Sequence, residues 1–420
     1  MIIQSLTETD AYKPNMQQVV LHQFNQDIVS WAFRCRNANV KFTPRMISRI
    51  REEIDDYCHL RFKEDELKWL KTEMPWLKQD YIDFLRFWHP RREEILVNED
   101  NIQAYNDCGL AIEAHGTWLN TMMYEIPILA IVNQVFFEET YGKGAKNIEF
   151  QKRTMENFAK LRAAVEPGFT DYCEDYKREH PYEIGTFSEF GLRRRYSSEM
   201  QDWLINFICE SKIPGFVGTS NVYLARKYQQ LGYKIKPVGT QAHEFFMAQQ
   251  GHFEHNPAYS NMFAMKAWTK EYETKLGIAL TDTLGTNLFL KDFGETYATL
   301  FSGVRHDSGD PIVWGENMIA HYKKLGIAPE TKTLLFSDAL NFEKATKIYQ
   351  HFRGRVKVAF GIGTSLSNPL DNPLNIVFKM TECNGSPVAK ISNDPSKGMC
   401  RDARYEDYLK RSIEWRFANR

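Results

Sequence analysis

The chain has 420 residues, which is enough for two domains or for one large domain with additions. Its 53 basic and 54 acidic side chains nearly cancel, which argues against nucleic-acid or anionic-membrane partners, and its 43% hydrophobic content is typical of a packed globular protein. Seven scattered cysteines without a C-x-x-C spacing argue against a disulfide framework and a zinc ribbon, and they fit a reducing cytosol.

The N-terminal stretch, residues 1–18, predicts neither a signal peptide nor a membrane anchor. It is polar and has no apolar run near the ~20 residues that a membrane span needs. The strongest apolar run of the chain, residues 126–137, is only 12 residues long, and Pro127 suits the first turn of a buried helix. We therefore expect a soluble cytoplasmic protein with no membrane partner.

About the first 120 residues mix strand-like and helical patterns. Residues 28–36 predict a strand, and residues 101–118 predict two strands around an Asn-Asp-Cys-Gly turn. The charged stretches 46–62 and 79–88 between them predict helices.

The second half repeats one plan, in which a short apolar run ends in polar residues and a helical pattern follows. The residues at these ends that could do chemistry are His243, Asp282, Arg305 with Asp307, Asp338, and the Gly361–Gly363 turn. All parallel strands of a β/α barrel deliver their carboxyl ends to one face, which holds the active site. A doubly wound sheet would do something similar at its switch point. We predict a barrel, because polar strand ends recur in at least five successive units rather than at one crevice.

His243 stands where a helix is expected to begin, and its local sequence allows two interpretations. Unsatisfied N–H groups at a helix start suit a phosphate, but a capping or packing histidine fits as well. The zinc motif H-E-x-x-H fails, because no second histidine follows four residues later. His252 and His255 lack an accompanying carboxylate cluster, so they predict a surface pair rather than a metal site.

Three further stretches have both a functional and a simpler interpretation. In 303–311, an arginine two residues from an aspartate could clamp a phosphate and meet a ribose or a cation, or could form a local ion pair in a turn. In 190–197, Phe190 and Arg193 could stack on and steer a flat anionic ring, or lie on a solvated surface. In 360–368, the turn could be a phosphate nest, although a lone G-x-G is weak evidence and no Walker loop is present. Together these features suit chemistry on a phosphorylated sugar.

Eight motifs occur in the order found in nicotinate phosphoribosyltransferases, and the chain resembles that family, its bacterial and fungal branch most closely, from about residue 7 to about residue 400. The motifs are "TDAYK" (9–13), "FGLRRR" (190–195), "FVGTSN" (216–221), "VGTQAHE" (238–244), "TD" (281–282), "GVRHDSGDP" (303–311), "FSDALN" (336–341) and "FGIGTSLSN" (360–368). The resemblance implies the type II phosphoribosyltransferase fold, an incomplete α/β barrel with an α+β domain built from both termini. We accordingly predict a barrel domain over 126–369 and a second domain over 1–125 joined by 370–420.

The resemblance also implies a reaction, formally that of a ligase. Nicotinate and 5-phosphoribosyl 1-pyrophosphate give nicotinate mononucleotide and pyrophosphate, with coupled ATP hydrolysis, in NAD salvage. Mg²⁺ would be held mainly by the pyrophosphate, because it keeps much of its hydration, so no dedicated cluster of metal ligands is expected. The alternatives are a relative on the same fold that uses nicotinamide or quinolinate, and a regulatory barrel that binds phosphosugars without catalysis.

Residue roles follow from the matched motifs. His243 corresponds to the histidine that ATP transiently phosphorylates, with Asp282 suggested as its orienting carboxylate. Carboxylates such as Asp307, which pairs with Arg305 toward the ribose and phosphate, would stabilise the developing sugar cation. The residues matched around the ribose 5-phosphate are Asp338, Gly361, Gly363 and Thr364.

The pyridine side of the site is matched in the same way. Phe190 and Arg193 correspond to the residues that hold the ring. Asp10 and Tyr12 correspond to a pair that reaches the neighbouring subunit's site in dimeric relatives, so a homodimer is allowed while the sequence leaves monomer and dimer open. Thr219 and Ser220 are expected to contact the substrate, since nicotinamide-specific relatives have an aspartate at the position of Ser220. The alternative is that Ser220 caps a helix.

Overall fold

The computed structural model of the chain describes residues 1–98, 108–161, 182–252 and 256–419. The strands in these ranges are β1 Ile28–Cys35, β2 Ile95–Val97, β3 Ile112–Thr117, β4 Thr186–Glu189, β5 Phe216–Thr219, β6 Lys236–Pro237, β7 Ile278–Leu280, β8 Gly303–His306, β9 Thr333–Phe336, β10 Lys357–Ile362, β11 Ile376–Cys383 and β12 Ser386–Pro387. The helices are α1 Tyr12–Gln23, α2 Pro44–Cys58, α3 Glu64–Glu73, α4 Gln79–Phe87, α5 Trp118–Thr121, α6 Glu125–Tyr141, α7 Asn147–Ala159, α8 Ser198–Glu210, α9 Val222–Gln230, α10 His243–Ala248, α11 Ser260–Tyr272, α12 Thr286–Asp292, α13 Glu295–Leu300, α14 Pro311–Lys324, α15 Phe342–Phe352, α16 Thr364–Ser367 and α17 Ala403–Ala418.

Seven parallel strands form the larger sheet, in the order β6-β5-β4-β10-β9-β8-β7. Each step from β4 to β6 and from β7 to β10 moves round the sheet in the same direction, so there is no switch point of the doubly wound kind. The order is that of a barrel left open between β6 and β7. The prediction of an incomplete α/β barrel is confirmed.

Five strands form the second sheet, in the order β12-β11-β1-β3-β2. β1 is its middle strand and pairs antiparallel with both β11 and β3, so strands from the two ends of the chain share one sheet. This is the predicted sheet from both termini, while the domain boundaries at 125/126 and 369/370 remain predictions. The predicted hairpin in 101–118 falls partly on residues 99–107, which lie outside the described residues, and β3 is the part that is described.

Helix α6 joins the two sheets and is buried along most of its length. It packs against α2, β11 and the turn at 192–194. Its apolar side chains lie on all faces, as expected for a helix inside a core, and Pro127 lies in its first turn as predicted. The helix begins at Glu125, whose carboxylate is therefore placed in the interior. Among the described residues, no helix is long and apolar enough to cross a membrane.

Candidate active site

The carboxyl ends of the barrel strands carry the predicted acidic side chains. Asp282 follows β7, Asp307 follows β8 and Asp338 follows β9 by one or two residues each. Thr364 follows β10 and begins the short helix α16. Because these strands are parallel neighbours, their ends lie on one face, as the barrel prediction requires.

His243 begins α10, as the sequence predicted. Helix α10 lies in the connection between β6 and β7, the two edge strands of the barrel sheet. Its Nε2 lies 2.8 Å from Oδ1 of Asp282 and 3.6 Å from Oδ2 of Asp307. Burial, and next the positive charge of Lys390, lower the pKa of His243 below its usual value of 6.5, against the opposing pull of the two carboxylates. The ring is therefore neutral at pH 7, with its Nε2–H donated to Asp282.

Asp282 is held by three groups at once. It accepts hydrogen bonds from the His243 ring and, at 2.5 Å, from the hydroxyl of Ser308, and Nζ of Lys390 lies 2.9 Å from its Oδ2. Burial opposes its charge, but these partners keep the pKa of Asp282 well below its usual value. The carboxylate is thus fixed in its charged form behind the histidine.

Asp307 is the more accessible of the two carboxylates, with 28% of its side chain exposed. Burial would raise the pKa of Asp307, but the charges of Arg305 and Lys390 and the nearby ring of His243 lower it. Ser337 donates a hydrogen bond of 3.1 Å to its Oδ1. One oxygen of this carboxylate therefore remains directed into the site.

The donor atoms of His243, Asp282 and Asp307 lie within 4.8 Å of one another. Such a grouping resembles a metal-binding set. The strand-end pattern predicted that the three residues share one face, but no metal-ligand spacing in the sequence predicted this set. However, Nζ of Lys390 lies 2.9 Å from Asp282 and 3.8 Å from Asp307. An ammonium therefore already supplies positive charge at this corner of the site.

Two lysines of the C-terminal segment, Lys390 and Lys397, complete this face and were missed by the sequence analysis. Lys397 forms an ion pair with Asp338, and its Nζ lies 3.5 Å from the carbonyl oxygen of Asp307. The segment follows the antiparallel sheet, so no strand-end rule points to it. The only local signal is its polar composition, "KISNDPSK" (390–397).

Phe190 and β10 explain the glycine at position 361. A Cβ on Gly361 would lie 2.2 Å from Cδ2 of the Phe190 ring, so only glycine lets the ring lie against the strand. Gly361 is therefore part of β10, and the predicted Gly361–Gly363 turn is corrected to begin at Gly363, just before α16. Gly363 faces the backbone carbonyl of Phe190, which its missing side chain allows to approach.

Arg305 lies within β8 and is partly exposed. One guanidinium nitrogen, Nη1, donates to the carbonyl oxygen of Gln241 at 3.0 Å. Its Nε is buried without a hydrogen-bond partner among the described residues. A buried, unsatisfied guanidinium N–H is suited to an anionic ligand.

Asp10 and Ser220 meet directly. The Ser220 hydroxyl donates a hydrogen bond of 2.6 Å to Oδ1 of Asp10, and Asp10 forms a β-bridge with Asn221. Burial raises the pKa of Asp10, while Ser220 and Arg193 act in the opposite direction. Asn221, not Ser220, is the N-cap of α9, since its side chain accepts from the backbone N–H of Leu224. The capping alternative for Ser220 is therefore wrong.

Arg193 stands between the N-terminal segment and the barrel. Burial would lower its pKa, but Tyr12, Glu125, Asp10 and Asp307 together raise the pKa of Arg193. Its Nη1 is 3.8 Å from Glu125, and 37% of its side chain is exposed. Burial places the pKa of Tyr12 well above 10, so this phenol stays neutral. Asp10 and Tyr12 thus face Arg193 within one chain.

Thr219 is fully buried behind this region. Its hydroxyl donates at 2.6 Å to Glu189, which also accepts from the backbone N–H of Gly191 at 2.6 Å and from Gln201 at 3.1 Å. Burial raises the pKa of Glu189 to about 7. Thr219 therefore fixes the turn that carries Phe190, and its predicted contact with the substrate remains a prediction.

Four ionic side chains lie next to the site, three of them buried and the fourth, Lys379, 16% exposed. We refer to Lys13, Glu125, Glu244 and Lys379 as the buried charge cluster. Lys13 Nζ lies 2.9 Å from Glu125 and 2.7 Å from Glu244, and Glu125 also pairs with Lys379. The sequence analysis missed this cluster, although Lys13 lies in "TDAYK" and Glu244 in "VGTQAHE". The available signal in the sequence was a charged residue at the start of each of two helices, Lys13 in α1 and Glu244 in α10.

The predicted surface pair of histidines is only partly described, because His255 lies outside the described residues. His252 has its Nε2 3.2 Å from Oδ2 of Asp27, and its ring centroid is 5.4 Å from that of Phe24. Its contacts are therefore with the N-terminal part of the chain.

Comparisons with known proteins agree with this architecture. The model of the nicotinate phosphoribosyltransferase (NAPRTase) family matches residues 186–415, and the model of the NAPRTase N-terminal domain matches residues 7–133. A nicotinate phosphoribosyltransferase of Cupriavidus necator is 41% identical over 98% of each chain. The crystal structure of nicotinate phosphoribosyltransferase from Vibrio cholerae superposes with a TM-score of 0.86 at 34% identity, covering 99% of this chain and 94% of that one. For a putative nicotinate phosphoribosyltransferase of Saccharomyces cerevisiae, the TM-score is 0.82 at 29% identity, over 99% of each chain.

Proposed function

Since the chain belongs to the nicotinate phosphoribosyltransferase family and is an enzyme of that type, we propose that it couples the transfer to ATP hydrolysis through phosphorylation of His243. The enzyme makes nicotinate mononucleotide from nicotinate and 5-phosphoribosyl 1-pyrophosphate. The observation that carries the proposal is the neutral, oriented ring of His243, which donates Nε2–H to Asp282 at 2.8 Å.

This orientation leaves Nδ1 of His243 with its lone pair as the nucleophile. In the proposed step, Nδ1 attacks the γ-phosphorus of ATP, the new N–P bond forms, and the bond from that phosphorus to the β,γ-bridging oxygen breaks as ADP leaves. The ring becomes positively charged, and the charged carboxylate of Asp282 stabilises it. Water later attacks the phosphorus, the N–P bond breaks with its electron pair returning to Nδ1, and inorganic phosphate leaves with the protons of the water, which completes the hydrolysis.

The transfer step uses the other carboxylates of the same face. As pyrophosphate leaves the anomeric carbon, positive charge develops on the sugar, and the pyridine nitrogen of nicotinate attacks the same carbon. Asp307, whose lowered pKa keeps it ionised, and Asp338 would stabilise this charge. Phe190 supplies an aromatic face for the pyridine ring, and Arg193 supplies a cation for its carboxylate.

The residues present fit a magnesium ion held mainly by its pyrophosphate ligand. Mg²⁺ usually combines one or two carboxylates with substrate phosphates and water. Asp307 is the carboxylate that can serve, because it is 28% exposed, whereas Asp282 is engaged by Ser308, His243 and Lys390. When bound, the ion would neutralise charge on the departing pyrophosphate.

Two wider expectations belong to the proposal. Asp10 and Tyr12 face Ser220 and Arg193 of their own chain, which supports a site that one chain can complete. Monomer and homodimer remain the two alternatives, and a cytoplasmic location remains a prediction. The free cysteines among the described residues are consistent with a reducing compartment.

The proposal is tested by trapping the phosphoenzyme with γ-labelled ATP. The wild type should carry acid-labile phosphate, and His243→Ala should carry none and lose the ATP-dependent gain in turnover while keeping some ATP-independent transfer. His252→Ala is the matched control, because that ring contacts Asp27 and not the strand-end carboxylates Asp282 and Asp307. Equal labile phosphate on His243→Ala and the wild type would refute the assignment. Turnover with nicotinate, nicotinamide and quinolinate in parallel separates the alternative substrates.

A further inference from the structure

Two helices of the molecule begin at residues of the proposed site, and the second residue of each pairs with the other. Helix α1 begins at Tyr12 and α10 at His243. Nζ of Lys13 lies 2.7 Å from Oε2 of Glu244, although 231 positions separate them in the sequence. The two side chains are 0% and 3% exposed. The ion pair therefore ties the two helix starts together inside the protein.

The same two segments also touch where the backbone at Gly239 lies against α1. Nδ2 of Asn15 donates at 2.8 Å to the carbonyl oxygen of Gly239, four residues before His243. A Cβ on Gly239 would lie 2.7 Å from the backbone nitrogen of Tyr12. With so little space between them, a displacement of one helix start has to be followed by the other.

The pyridine side of the site is joined to this pair through Glu125. Lys13 Nζ lies 2.9 Å from Oε2 of Glu125, and the other oxygen of Glu125 lies 3.8 Å from Nη1 of Arg193. Lys13 is thus the cation shared by the carboxylate next to His243 and the carboxylate next to Arg193. Stability alone is a poor reason for such an arrangement, because apolar residues of similar volume often replace buried ion pairs without loss.

We propose that the Lys13–Glu244 ion pair is the positioning element that makes phosphorylation of His243 productive for nicotinate transfer; this inference rests on the function proposed above. A phosphate on His243 adds about −1.5 to −2 charge to the first turn of α10, next to Glu244. The added negative charge attracts the Lys13 ammonium and so draws the start of α1 toward the start of α10. Tyr12 and, through Glu125, Arg193 are thereby held in place around nicotinate.

Burial adds to the dependence of Glu244 on its partner. Burial raises the pKa of Glu244, while the charge of Lys13 and its hydrogen bond lower it. In Lys13→Met, the buried carboxyl group of Glu244 would take up a proton. In Glu244→Gln, no carboxylate is left. The ion pair is therefore lost in both variants.

The experiment compares Lys13→Met and Glu244→Gln with the wild type. The measured quantities are the ATP hydrolysed per nicotinate mononucleotide formed, and the nicotinate KM with and without ATP. We expect each variant to raise the ATP-to-product ratio by at least about fivefold and to lose the effect of ATP on the nicotinate KM. The double variant should change the ratio no more than the larger single change, because both substitutions break the same contact. Glu244→Gln is nearly isosteric and carries the test if Lys13→Met does not fold.

Arg416→Met is the matched control, because it breaks another buried ion pair, Arg416–Asp292. Nη2 of Arg416 lies 2.6 Å from Oδ1 of Asp292, and the two side chains are 5% and 0% exposed. It should lower stability and leave the ratio unchanged. Three outcomes would each overturn the inference and leave the proposed function intact. They are an unchanged ATP-to-product ratio in both Lys13→Met and Glu244→Gln when these are folded, full additivity in the double variant, and an equal rise of the ratio in Arg416→Met. A wild type whose transfer ignores ATP would instead overturn the proposed coupling, and this inference with it.

Discussion

At the scale of single residues, Ser220 is the position where a small change should alter the choice of substrate. Its hydroxyl donates to Asp10 at 2.6 Å. Ser220→Asp would therefore place a second carboxylate beside that of Asp10, next to the carboxylate of bound nicotinate. Like charges ~4 Å apart cost on the order of 4 kcal/mol at an intermediate dielectric, which corresponds to a rise in nicotinate KM of about 100- to 1000-fold. Steady-state kinetics measure this rise.

Ser220→Ala separates the charge from the lost hydroxyl. It removes the donor without adding a carboxylate, so it should raise the nicotinate KM by no more than about tenfold. A folded Ser220→Asp variant with the nicotinate KM of the wild type would contradict the assignment. The helix itself should form in both variants, because Asn221 caps it.

Glu189 makes a prediction about pH. Its pKa in the folded protein is raised to about 7, above the unfolded value near 4.3. The unfolded chain therefore releases this proton first, so the contribution of Glu189 is fully present below about pH 4.3 and is lost as pH rises through about 7. Relative to Glu189→Gln, the free energy of unfolding of the wild type should fall by up to about 3 kcal/mol between pH 5 and 8. Urea unfolding of both proteins at several pH values measures the difference, and parallel curves would refute the raised pKa.

Individual residues were predictable where a local rule applies to them. The start of α10 at His243 and the polar ends of β7, β8 and β9 follow from hydrophobic pattern and parallel topology. Lys390 and Glu189 could not be found in this way, because each acts through a partner that is distant in sequence or through burial. Ser220 was assigned to the site by resemblance alone, and its bond to Asp10 emerges only when the N-terminal segment is placed against the barrel.

At the scale of elements, strand β10 depends on having no side chain at Gly361. The Cβ of Gly361→Ala would lie 2.2 Å from the Phe190 ring, so either the ring or the strand has to move. We expect a loss of about 1–3 kcal/mol in stability and a higher nicotinate KM, because the displaced ring is the proposed platform for the pyridine. Thermal unfolding and kinetics check both effects.

Gly294→Ala is the control for this substitution. A Cβ there meets nothing within 4 Å, and Gly294 has an ordinary φ of −70°. Because Gly294 is the N-cap of α13, where alanine is less favourable than glycine, the variant should lose no more than about 1 kcal/mol and keep the nicotinate KM of the wild type. If Gly361→Ala behaved in the same way, the close packing of Phe190 on β10 would be wrong.

Elements were predicted best where the pattern is long. Helix α4 and strand β1 lie within the stretches that the sequence indicated. Helix α2 overlaps its predicted stretch, 46–62, but begins at Pro44 and ends at Cys58, and α6 extends its apolar run in both directions. Short strands such as β6, with two residues, carry too few side chains for a period to show. Gly361 was assigned to a turn because glycine usually marks one, whereas here it accommodates a ring from a neighbouring strand end.

At the scale of the whole molecule, Lys390 brings the C-terminal segment onto the barrel and acts on His243. After burial, its charge is the largest cause of the lowered pKa of His243. Lys390→Met should therefore raise that pKa, so that more of the ring is protonated at pH 7 and the acid limb of ATP-dependent phosphorylation moves to higher pH. The pH profile of phosphoenzyme formation measures the shift.

Lys397→Met is the comparison for this prediction. Lys397 pairs with Asp338 rather than with Asp282 or Asp307, so its loss should leave the acid limb where it is in the wild type. A Lys390→Met profile that coincides with the wild-type profile would show that the lysine does not set the protonation of His243.

The pairing of β1 with β11 has a consequence for how the protein is made. Val29 lies opposite Cys383, so the middle strand of the antiparallel sheet waits for a partner that the ribosome delivers about 350 residues later. Until then the nascent chain exposes the unpaired edge of β1, with apolar side chains such as Trp31 and Phe33 beside it. Lys390 and Lys397 emerge later still, so a prematurely terminated chain carries the histidine without the cations that surround it. Full activity should therefore wait until the segment 390–397 has emerged, and chaperone binding during elongation should concentrate on β1.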